Sequence, residues 1–303
     1  MKRQILLFLA LTISALAICS CQSKNEKTKE ENTCQDPDRF LIIHSEMSQD
    51  RQIADDVASM LLKDGHEVEL RENISEETVK MSNIKAVISV GRSETVYLLG
   101  KDTKIPHLYC ITDGGVAPDT DRKGIAPTIE SASLADAAMI LLPNAEDFSI
   151  ISNAEGASDV QDACDLFDRT GMDYTVESLE GRIYGEVLLS CLESDTDALL
   201  LPPGSCGSKN SSAFSLPYIP ESYVPVIAVG IEDPLNGALA TFCIDPEPMA
   251  KALYSLINSE VYGYPVSVPE SFYVLFINKA RAVSLDERAK KNISELYNVI
   301  WIE

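Results

Sequence analysis

The sequence has few basic residues, three histidines and one tryptophan, and these shortages narrow the possible functions. Its 303 residues include 25 Lys and Arg against 47 Asp and Glu, so the formal net charge is −22. Because contacts to phosphates need clustered Lys and Arg, this balance disfavours nucleic acid as a partner. The G-x-S-x-G, Walker A and H-E-x-x-H motifs do not occur. We therefore predict a protein without enzymatic activity.

Metal-binding patterns are also missing from the sequence. His44, His66 and His107 are far apart, no C-x-x-C pair occurs, and no His/Cys spacing matches a zinc site. Each histidine is expected at a strand end or on the surface. We predict that the protein holds no metal ion and no cofactor.

Only the N-terminus carries an apolar run of the kind found in export signals. Lys2 and Arg3 precede an apolar stretch of about 14 residues at 5–18, which is shorter than the roughly 20 residues that span a bilayer. The segment Ile18-Cys19-Ser20-Cys21 that ends this stretch resembles a bacterial lipobox. The pattern predicts a lipoprotein signal peptide over residues 1–20 and acylation of Cys21, with palmitate among the acyl groups. An ordinary cleaved signal peptide or a membrane anchor are the alternatives.

The residues after Cys21 are expected to form a tether. Residues 22–33 are polar and include no large apolar side chain, and such a segment cannot bury enough surface to fold. We predict residues 21–38 as a lipidated flexible tether. The protein is then expected in the cell envelope, on the extracytoplasmic side, held to a membrane by its lipid anchor.

Six cysteines lie beyond Cys21, and export would allow them to form disulfides. Cys110 falls in a predicted strand, and Cys164 and Cys191 fall in predicted helices amid apolar neighbours. These positions favour buried free thiols for most of the six. The six are Cys34, Cys110, Cys164, Cys191, Cys206 and Cys243.

Beyond residue 38, short apolar runs alternate with segments of helical periodicity. Residues 40–44 read as a strand buried on both faces, and residues 49–64 place Ile53, Val57 and Leu61 on one face of a helix. Further strands are predicted at 67–70, 85–90, 105–111, 147–152, 174–179, 197–201, 224–229, 238–243 and 272–277. Further helices are predicted through 96–99, 134–142, 160–170, 183–193 and 248–257, and the chain is predicted to be largely helical from 278 until the apolar run 299–302. The alternation predicts parallel sheets with right-handed crossovers, in two successive doubly wound α/β domains.

Several segments, in this order along the chain, resemble a known family. They are Ile105-Pro106 before a strand that ends in Thr112-Asp113, Leu141-Leu142-Pro143-Asn144-Ala145 followed by a strand and residues 153–158, Asp197-Ala198-Leu199-Leu200-Leu201-Pro202-Pro203, Gly237-Ala238-Leu239-Ala240 with Ile244-Asp245, and Phe276-Ile277-Asn278-Lys279-Ala280. Together they resemble the substrate-binding proteins of ABC transporters whose best-known members take tryptophan, tyrosine or phenylalanine.

The resemblance implies a periplasmic-binding-protein type I fold. Such a fold has two doubly wound, Rossmann-like lobes joined by three hinge crossings, with a small ligand closed between them. The implied division is residues 39–127 plus 244–270 for lobe 1, and 128–243 plus 271–303 for lobe 2. The expected partners are a small-molecule ligand, such as an aromatic amino acid, and the transmembrane permease of an ABC importer.

Candidate ligand-binding residues lie where strands end, since ligands of doubly wound sheets bind beyond the carboxyl ends of the strands. Ser45 and Glu46 follow the first strand, and Arg92 with Ser93 follows the third. Ser93 could instead cap the next helix, and Asp113 could be a turn residue. The candidates are Ser45, Glu46, Arg92, Ser93, Asp113, Asn153, Glu155, Ser158, Ser205 and Asp245; the resemblance supplies Asp113, Asn153, Glu155, Ser158 and Asp245.

The sequence departs from the family in ways that keep a second function open. Gly204 stands where the family usually has an aspartate suited to a ligand ammonium, and Arg92 stands where the family prefers a small residue. An arginine there could pair with a ligand carboxylate through two hydrogen bonds, or fill the cleft. The leading prediction is a solute-binding lipoprotein of an ABC importer. The alternative is a ligand-sensing or receptor lipoprotein on the same fold, without a transport role.

Overall fold

The computed structural model describes residues 37–73, 83–101, 104–113, 117–152, 159–202, 223–229, 237–269 and 271–303. The predicted signal peptide and Cys21 lie outside these ranges. The described strands are β1 (Arg39–His44), β2 (Glu67–Glu72), β3 (Ala86–Val90), β4 (His107–Cys110), β5 (Lys123–Ile125), β6 (Asp147–Ser152), β7 (Asp173–Ser178), β8 (Ala198–Leu201), β9 (Val226–Val229), β10 (Ala240–Ile244), β11 (Tyr273–Asn278) and β12 (Val299–Ile302). The described helices are α1 (Ser48–Lys63), α2 (Arg92–Leu99), α3 (Ser131–Leu141), α4 (Gln161–Thr170), α5 (Tyr184–Glu193), α6 (Pro246–Tyr262) and α7 (Glu287–Leu296).

The strands form two sheets. The first has the order β2-β1-β3-β4-β5 and all its pairs are parallel. The second has the order β12-β11-β10-β9-β8-β6-β7 and is parallel except where β10 pairs with β11. We call the first sheet with α1, α2 and α6 lobe 1, and the second sheet with α3, α4, α5 and α7 lobe 2.

Helices cover both faces of each sheet. Successive side chains of a strand point to opposite faces, so a strand that is apolar throughout needs a packing partner on each face. In β1, Phe40 and Ile42 pack into a core with α1 and α6, whereas Leu41 and Ile43 pack towards Leu98 of α2. The second sheet repeats this arrangement, with β6 contributing to a core with α3 and α4 on one face and a core with α5 on the other. Strands buried on both faces need continuous apolar runs, and this is the pattern from which they were predicted.

The chain passes between the lobes three times. It leaves lobe 1 after β5 and enters α3, returns from β10 into α6, and leaves again after α6 to form β11. Hydrogen bonds join neighbouring crossings: the hydroxyl of Tyr273 donates to the carbonyl of Thr128 at 2.6 Å, and the amide of Asp245 donates to the carbonyl of Phe272 at 2.8 Å. The predicted fold class, two doubly wound lobes with three crossings, is confirmed.

The antiparallel pairing of β10 and β11 differs from the expected all-parallel sheet, and the crossings explain it. The chain leaves the second sheet at the end of β10, builds α6 in lobe 1, and re-enters the second sheet at β11 from the same side. A strand that re-enters at the edge where its neighbour left must run in the opposite direction. The short strand β5 was not predicted, because its sequence Lys-Gly-Ile has no apolar run.

Helix α6 is longer than the predicted 248–257, and its ends explain why. Asp245 caps the N-terminus by accepting a hydrogen bond from the amide of Glu247 at 3.1 Å, and Pro246 occupies the first helical position. Gly263 ends the helix in a left-handed conformation with φ of 76°. The segment therefore begins at the second crossing and ends shortly before the third.

The described cysteines are free thiols, as predicted for most of the six. Cys110, Cys164 and Cys191 are buried and Cys243 is half-buried, while Cys34 and Cys206 lie outside the described residues. Burial raises the pKa of the Cys191 thiol to about 11 and that of Cys243 to about 12. Thiols held in the neutral form are poor nucleophiles, so these side chains act as apolar packing groups. Within the described ranges, no helix is long and apolar enough to cross a membrane.

Candidate functional site

Polar residues gather at the carboxyl ends of three adjacent strands in lobe 1. Ser45 follows β1, Gly91 and Arg92 follow β3, and Thr112 and Asp113 come shortly after β4. Backbone hydrogen bonds extend the sheet into these segments, from the amide of Ser45 to the carbonyl of Val90 and from the amide of Gly91 to the carbonyl of Cys110. We call Ser45, Asp50, Gly91, Arg92, Glu94, Thr112 and Asp113 the polar cluster. It occupies the edge of a parallel sheet at which ligands bind.

Asp50, in the first turn of α1, lies at the centre of the polar cluster. Its side chain is only 1% exposed and accepts hydrogen bonds from the hydroxyls of Ser45, at 2.6 Å, and Thr112. Burial raises the pKa of the Asp50 carboxyl, the two hydroxyl hydrogen bonds oppose that rise, and the charges of Glu94 and Asp113 add to it. Sequence reasoning missed Asp50. The available signal was its position, in phase with the buried Ile53 and Val57 on the apolar face of α1.

Gly91 makes room for two carboxylates beside it. A Cβ atom at this position would lie 2.7 Å from Oδ2 of Asp50 and 2.7 Å from Oε2 of Glu94, closer than Cβ atoms come to their neighbours in folded proteins. Its φ of 112° also falls in a region that residues with a Cβ rarely adopt. Glu94 is 5% exposed and accepts a hydrogen bond from the hydroxyl of Ser93 at 2.8 Å. The cluster therefore holds two buried carboxylates next to each other.

Arg92 and Asp113 form an ion pair at the surface of the polar cluster. Nε and Nη2 of Arg92 donate to the two carboxylate oxygens of Asp113, with 2.8 Å between Nη2 and Oδ1. The side chains are 37% and 41% exposed. The hydrogen bond to Asp113 raises the pKa of Arg92. This forked geometry is the one in which arginine binds a carboxylate, so two opposite charges stand side by side within reach of solvent.

The other predicted site residues have mixed placements. Glu46 is exposed next to Ser45. Ser93 is not the cap of α2, because the helix starts at Arg92 with Gly91 in the capping position, and the Ser93 hydroxyl instead contacts Glu94. Asp245 lies at the second crossing, where it caps α6. Four candidates lie outside the described residues: Asn153, Glu155, Ser158 and Ser205.

A buried chain of hydrogen bonds leads from His107 to the polar cluster. The hydroxyl of Thr95 donates to the carbonyl of Gly91 at 2.7 Å, so Ser89, whose oxygen is 2.9 Å away, must donate to Thr95. The proton of Ser89 is then used, and Nε2 of His107 must donate to Ser89 across 2.9 Å. This proton count fixes His107 as the Nε2–H tautomer.

His107 is buried rather than exposed, although it does begin a strand as expected. Its Nδ1 atom has no hydrogen-bond partner among the described residues. Burial lowers the pKa of His107 to about 4, and the charge of Arg122 adds to the effect. The imidazole is therefore neutral at physiological pH and acts as a fixed donor at the far end of the chain that supports Gly91.

Within the described residues, no group of three or more His, Cys, Asp or Glu side chains is arranged to hold a metal ion. The polar cluster instead contains charges of both signs and two hydroxyl groups. Such a set of charged and hydroxyl groups can bind a small polar molecule through ion pairs and hydrogen bonds. In lobe 2, the segments that follow β6, β8 and β9 at the corresponding edge lie outside the described residues.

Comparison with known proteins supports the fold. The chain matches no family model and no curated protein sequence. Among solved structures, it is similar to an ABC domain in complex with L-Trp from Streptococcus pneumonia, with a TM-score of 0.60, 13% identity, and coverage of 87% of this chain and 100% of that chain. It is also similar to the ligand-free, open structure of a substrate binding protein with adhesive properties from Clostridium difficile, with a TM-score of 0.64, 17% identity, and coverage of 88% and 99%.

The same fold also serves regulators. A LacI transcriptional regulator from Rhodococcus species matches with a TM-score of 0.51 and 16% identity, covering 76% of this chain and 92% of that chain. These similarities show that the chain has the type I fold of periplasmic binding proteins. At such low identities, the fold is what the similarities establish.

Proposed function

We propose that this protein is an extracytoplasmic solute-binding lipoprotein that captures a small zwitterionic ligand, an amino acid, for an ABC importer. The observation that carries the proposal is the ion pair of Arg92 and Asp113 at the carboxyl edge of the lobe 1 sheet. An amino acid carries both a carboxylate and an ammonium. A site with one exposed cation and one exposed anion matches that pair of charges.

Binding would proceed by exchange of partners within this ion pair. The ligand carboxylate would take the forked position on Arg92 that Asp113 now occupies, and the ligand ammonium would pair with Asp113. One ion pair would become two, and closure of the lobes would shield both from water. The ligand would favour the closed state because only that state contacts it from both lobes.

Support for transport comes from the similar structures and from the N-terminus. One of the similar structures holds L-Trp and another is called a substrate binding protein, which makes an amino acid, aromatic amino acids included, the first ligand class to test. The lipobox-like segment at Cys21 fits a binding protein held at the membrane surface near its permease. Membrane anchoring and the permease partner are parts of the proposal.

The experiment is a calorimetric titration of L-tryptophan and other amino acids into residues 37–303, which contain the cores of both lobes. Replacing Arg92 with Gln should weaken binding of the amino acid by roughly tenfold to a hundredfold, because a charged hydrogen bond contributes about 1.5–3 kcal/mol. The matched control is Arg39→Gln, which removes an exposed ion pair with Glu69 at the opposite end of the sheet. Equal affinities for both variants would exclude Arg92 as a ligand contact.

A second function, ligand sensing without transport, is favoured by two observations. Arg92 and Asp113 neutralise each other's charge, and the sequence has Gly204 where the family places an acidic side chain. A receptor on this fold would then respond to another molecule or to a protein. Permease and ATPase genes beside the gene for this chain would support transport, whereas a neighbouring sensor kinase gene would support sensing.

A further inference from the structure

Asp50 is a buried carboxylate that has no cationic partner among the described residues. Its hydrogen bonds come from two hydroxyls, those of Ser45 and Thr112, which lie on different loops. Burying a carboxylate without a compensating cation is unfavourable. Stability of the lobe 1 core therefore does not explain an aspartate on the apolar face of α1, where neighbouring buried positions hold Ile53, Val57 and Leu61.

The contacts of Asp50 follow a regular pattern with respect to the exposed charges at this edge of the sheet. Its carboxylate is hydrogen-bonded to Ser45 and Thr112, and its Oδ2 atom lies beside Gly91, 2.7 Å from the position that a Cβ would take there. Each of these three residues directly precedes a charged, solvent-accessible residue in the sequence. Those residues are Glu46, Arg92 and Asp113. One side chain from α1 thus gathers the three loops that carry these exposed charges.

We propose that Asp50 is a positioning residue of the ligand site, which holds the loops after β1, β3 and β4 at the spacing that brings Arg92 and Asp113 together. This inference rests on the proposed function only for the identity of the ligand. The spacing of the loops that Asp50 holds does not depend on it. Asp50 acts through Ser45, Gly91 and Thr112. The exposed charges reach the ligand, and Asp50 does not.

The hydroxyl of Thr112 allows a sharp test, because it can be removed without changing the shape of the side chain. Thr112→Val deletes the donor to Asp50 and Thr112→Ser keeps it. Asp50→Asn keeps the size of the Asp50 side chain but turns one acceptor oxygen into a donor, so the Ser45 and Thr112 hydroxyls can no longer each donate to an oxygen of their own. Ile53→Val is the matched control, since it removes a buried methyl group from the same face of α1 without touching the cluster.

The first readout needs no ligand. In residues 37–303, the Nε–H of Arg92 is bonded to Asp113, so its exchange with water, measured by NMR, reports whether the ion pair is in place. We expect exchange to be roughly tenfold faster in Thr112→Val and in Asp50→Asn, as expected for loss of a hydrogen bond that orients the pair. Thr112→Ser and Ile53→Val should exchange at the wild-type rate. The proposal would be overturned if the Arg92 Nε–H exchanged at the wild-type rate in Thr112→Val and in Asp50→Asn while their melting temperatures fell no further than that of Ile53→Val.

The second readout uses L-tryptophan as the probe. If the wild-type protein binds it, Thr112→Val and Asp50→Asn should each weaken binding by roughly tenfold, and the double variant should lose less than the product of the two single losses, because both remove the same contact. Unchanged affinity in both single variants would contradict a positioning role. Failure of the wild-type protein to bind any amino acid would count against the proposed function, whereas the exchange rates of Arg92 would still decide the role of Asp50.

Discussion

At the scale of single residues, the polar cluster depends on side chains that the sequence pattern does not predict as site residues. Arg92 and Asp113 could be predicted as site residues because both follow strands. Asp50 and Glu94 could not, because an acidic residue within a helical pattern normally faces solvent. Asp50 differs from other acidic residues of α1 only in its helical spacing from the buried Ile53. A charged residue at such a position is an exception to the apolar pattern, so the pattern alone does not identify it.

Gly91 provides a residue-scale prediction about stability. Gly91→Ala should lower the free energy of unfolding by about 2 kcal/mol or more, because the backbone would be strained at a positive φ and the new methyl group would meet the carboxylates of Asp50 and Glu94. Urea denaturation measures the change. Gly65→Ala has a positive φ but nothing within 4 Å, so it isolates the backbone contribution, and Gly185→Ala in α5 has neither feature and should be neutral or mildly stabilising. Equal losses at Gly91 and Gly65 would show that the contacts with the carboxylates are relieved by small shifts.

His107 provides a prediction about pH. Its pKa is lowered to about 4 in the folded protein from 6.5, so the unfolded chain binds more protons between these values. The titration of His107 therefore leaves the free energy of unfolding unchanged above about pH 7. As pH falls through 6.5 towards 4, the free energy of unfolding decreases, by about 2 kcal/mol at pH 5. His107→Gln can still place an amide donor near Ser89 but does not titrate. Its stability should fall less than that of the wild-type protein between pH 7.5 and pH 5, and parallel losses would show that His107 is not the responsible group.

At the scale of secondary-structure elements, apolar patterning predicts strands that are buried on both faces. It does not predict a short strand or a strand direction that neighbouring elements determine. The strands β1, β3 and β6 follow from continuous apolar runs. By contrast, β5 has only three residues and exists because β4 offers it a free edge, with the ring of Tyr109 lying against Gly124 where no Cβ could fit. The reversed direction of β11 is likewise set by the path of the chain through α6, which no local pattern encodes.

Helix α6 provides a prediction at this scale, because its cap lies at a crossing. Asp245→Ala should lower the free energy of unfolding by about 1 kcal/mol through loss of the bond to the amide of Glu247. Asp286→Ala is the matched control, since Asp286 caps α7 in the same way at 2.7 Å from the amide of Arg288. Both losses can be measured by urea denaturation. A loss of amino-acid affinity in Asp245→Ala alone would show that Asp245 also reaches the cleft, as the resemblance to the transporter family implies.

At the scale of the whole molecule, two α/β lobes are joined by three crossings, as in the type I fold of periplasmic binding proteins. The lobe 1 side of the cleft carries a cation and an anion on loops gathered by one buried carboxylate. Gln49, the residue before Asp50, donates to the carbonyl of Ile244 at 2.6 Å, so the same turn of α1 contacts the second crossing. This arrangement supports the proposal that the protein binds a small zwitterion.

The most direct test of this account is a thermal-shift screen of residues 37–303 against the proteinogenic amino acids, nucleobases and small sugars. A ligand that binds only the folded state adds about 2.7 kcal/mol of stability at 100 times its Kd, which corresponds to a rise of roughly 5 °C or more for a domain of this size. The account predicts such a rise with at least one amino acid, and its loss in Arg92→Gln. Cooperative unfolding at an unchanged temperature with every amino acid would contradict it and would favour the receptor function instead.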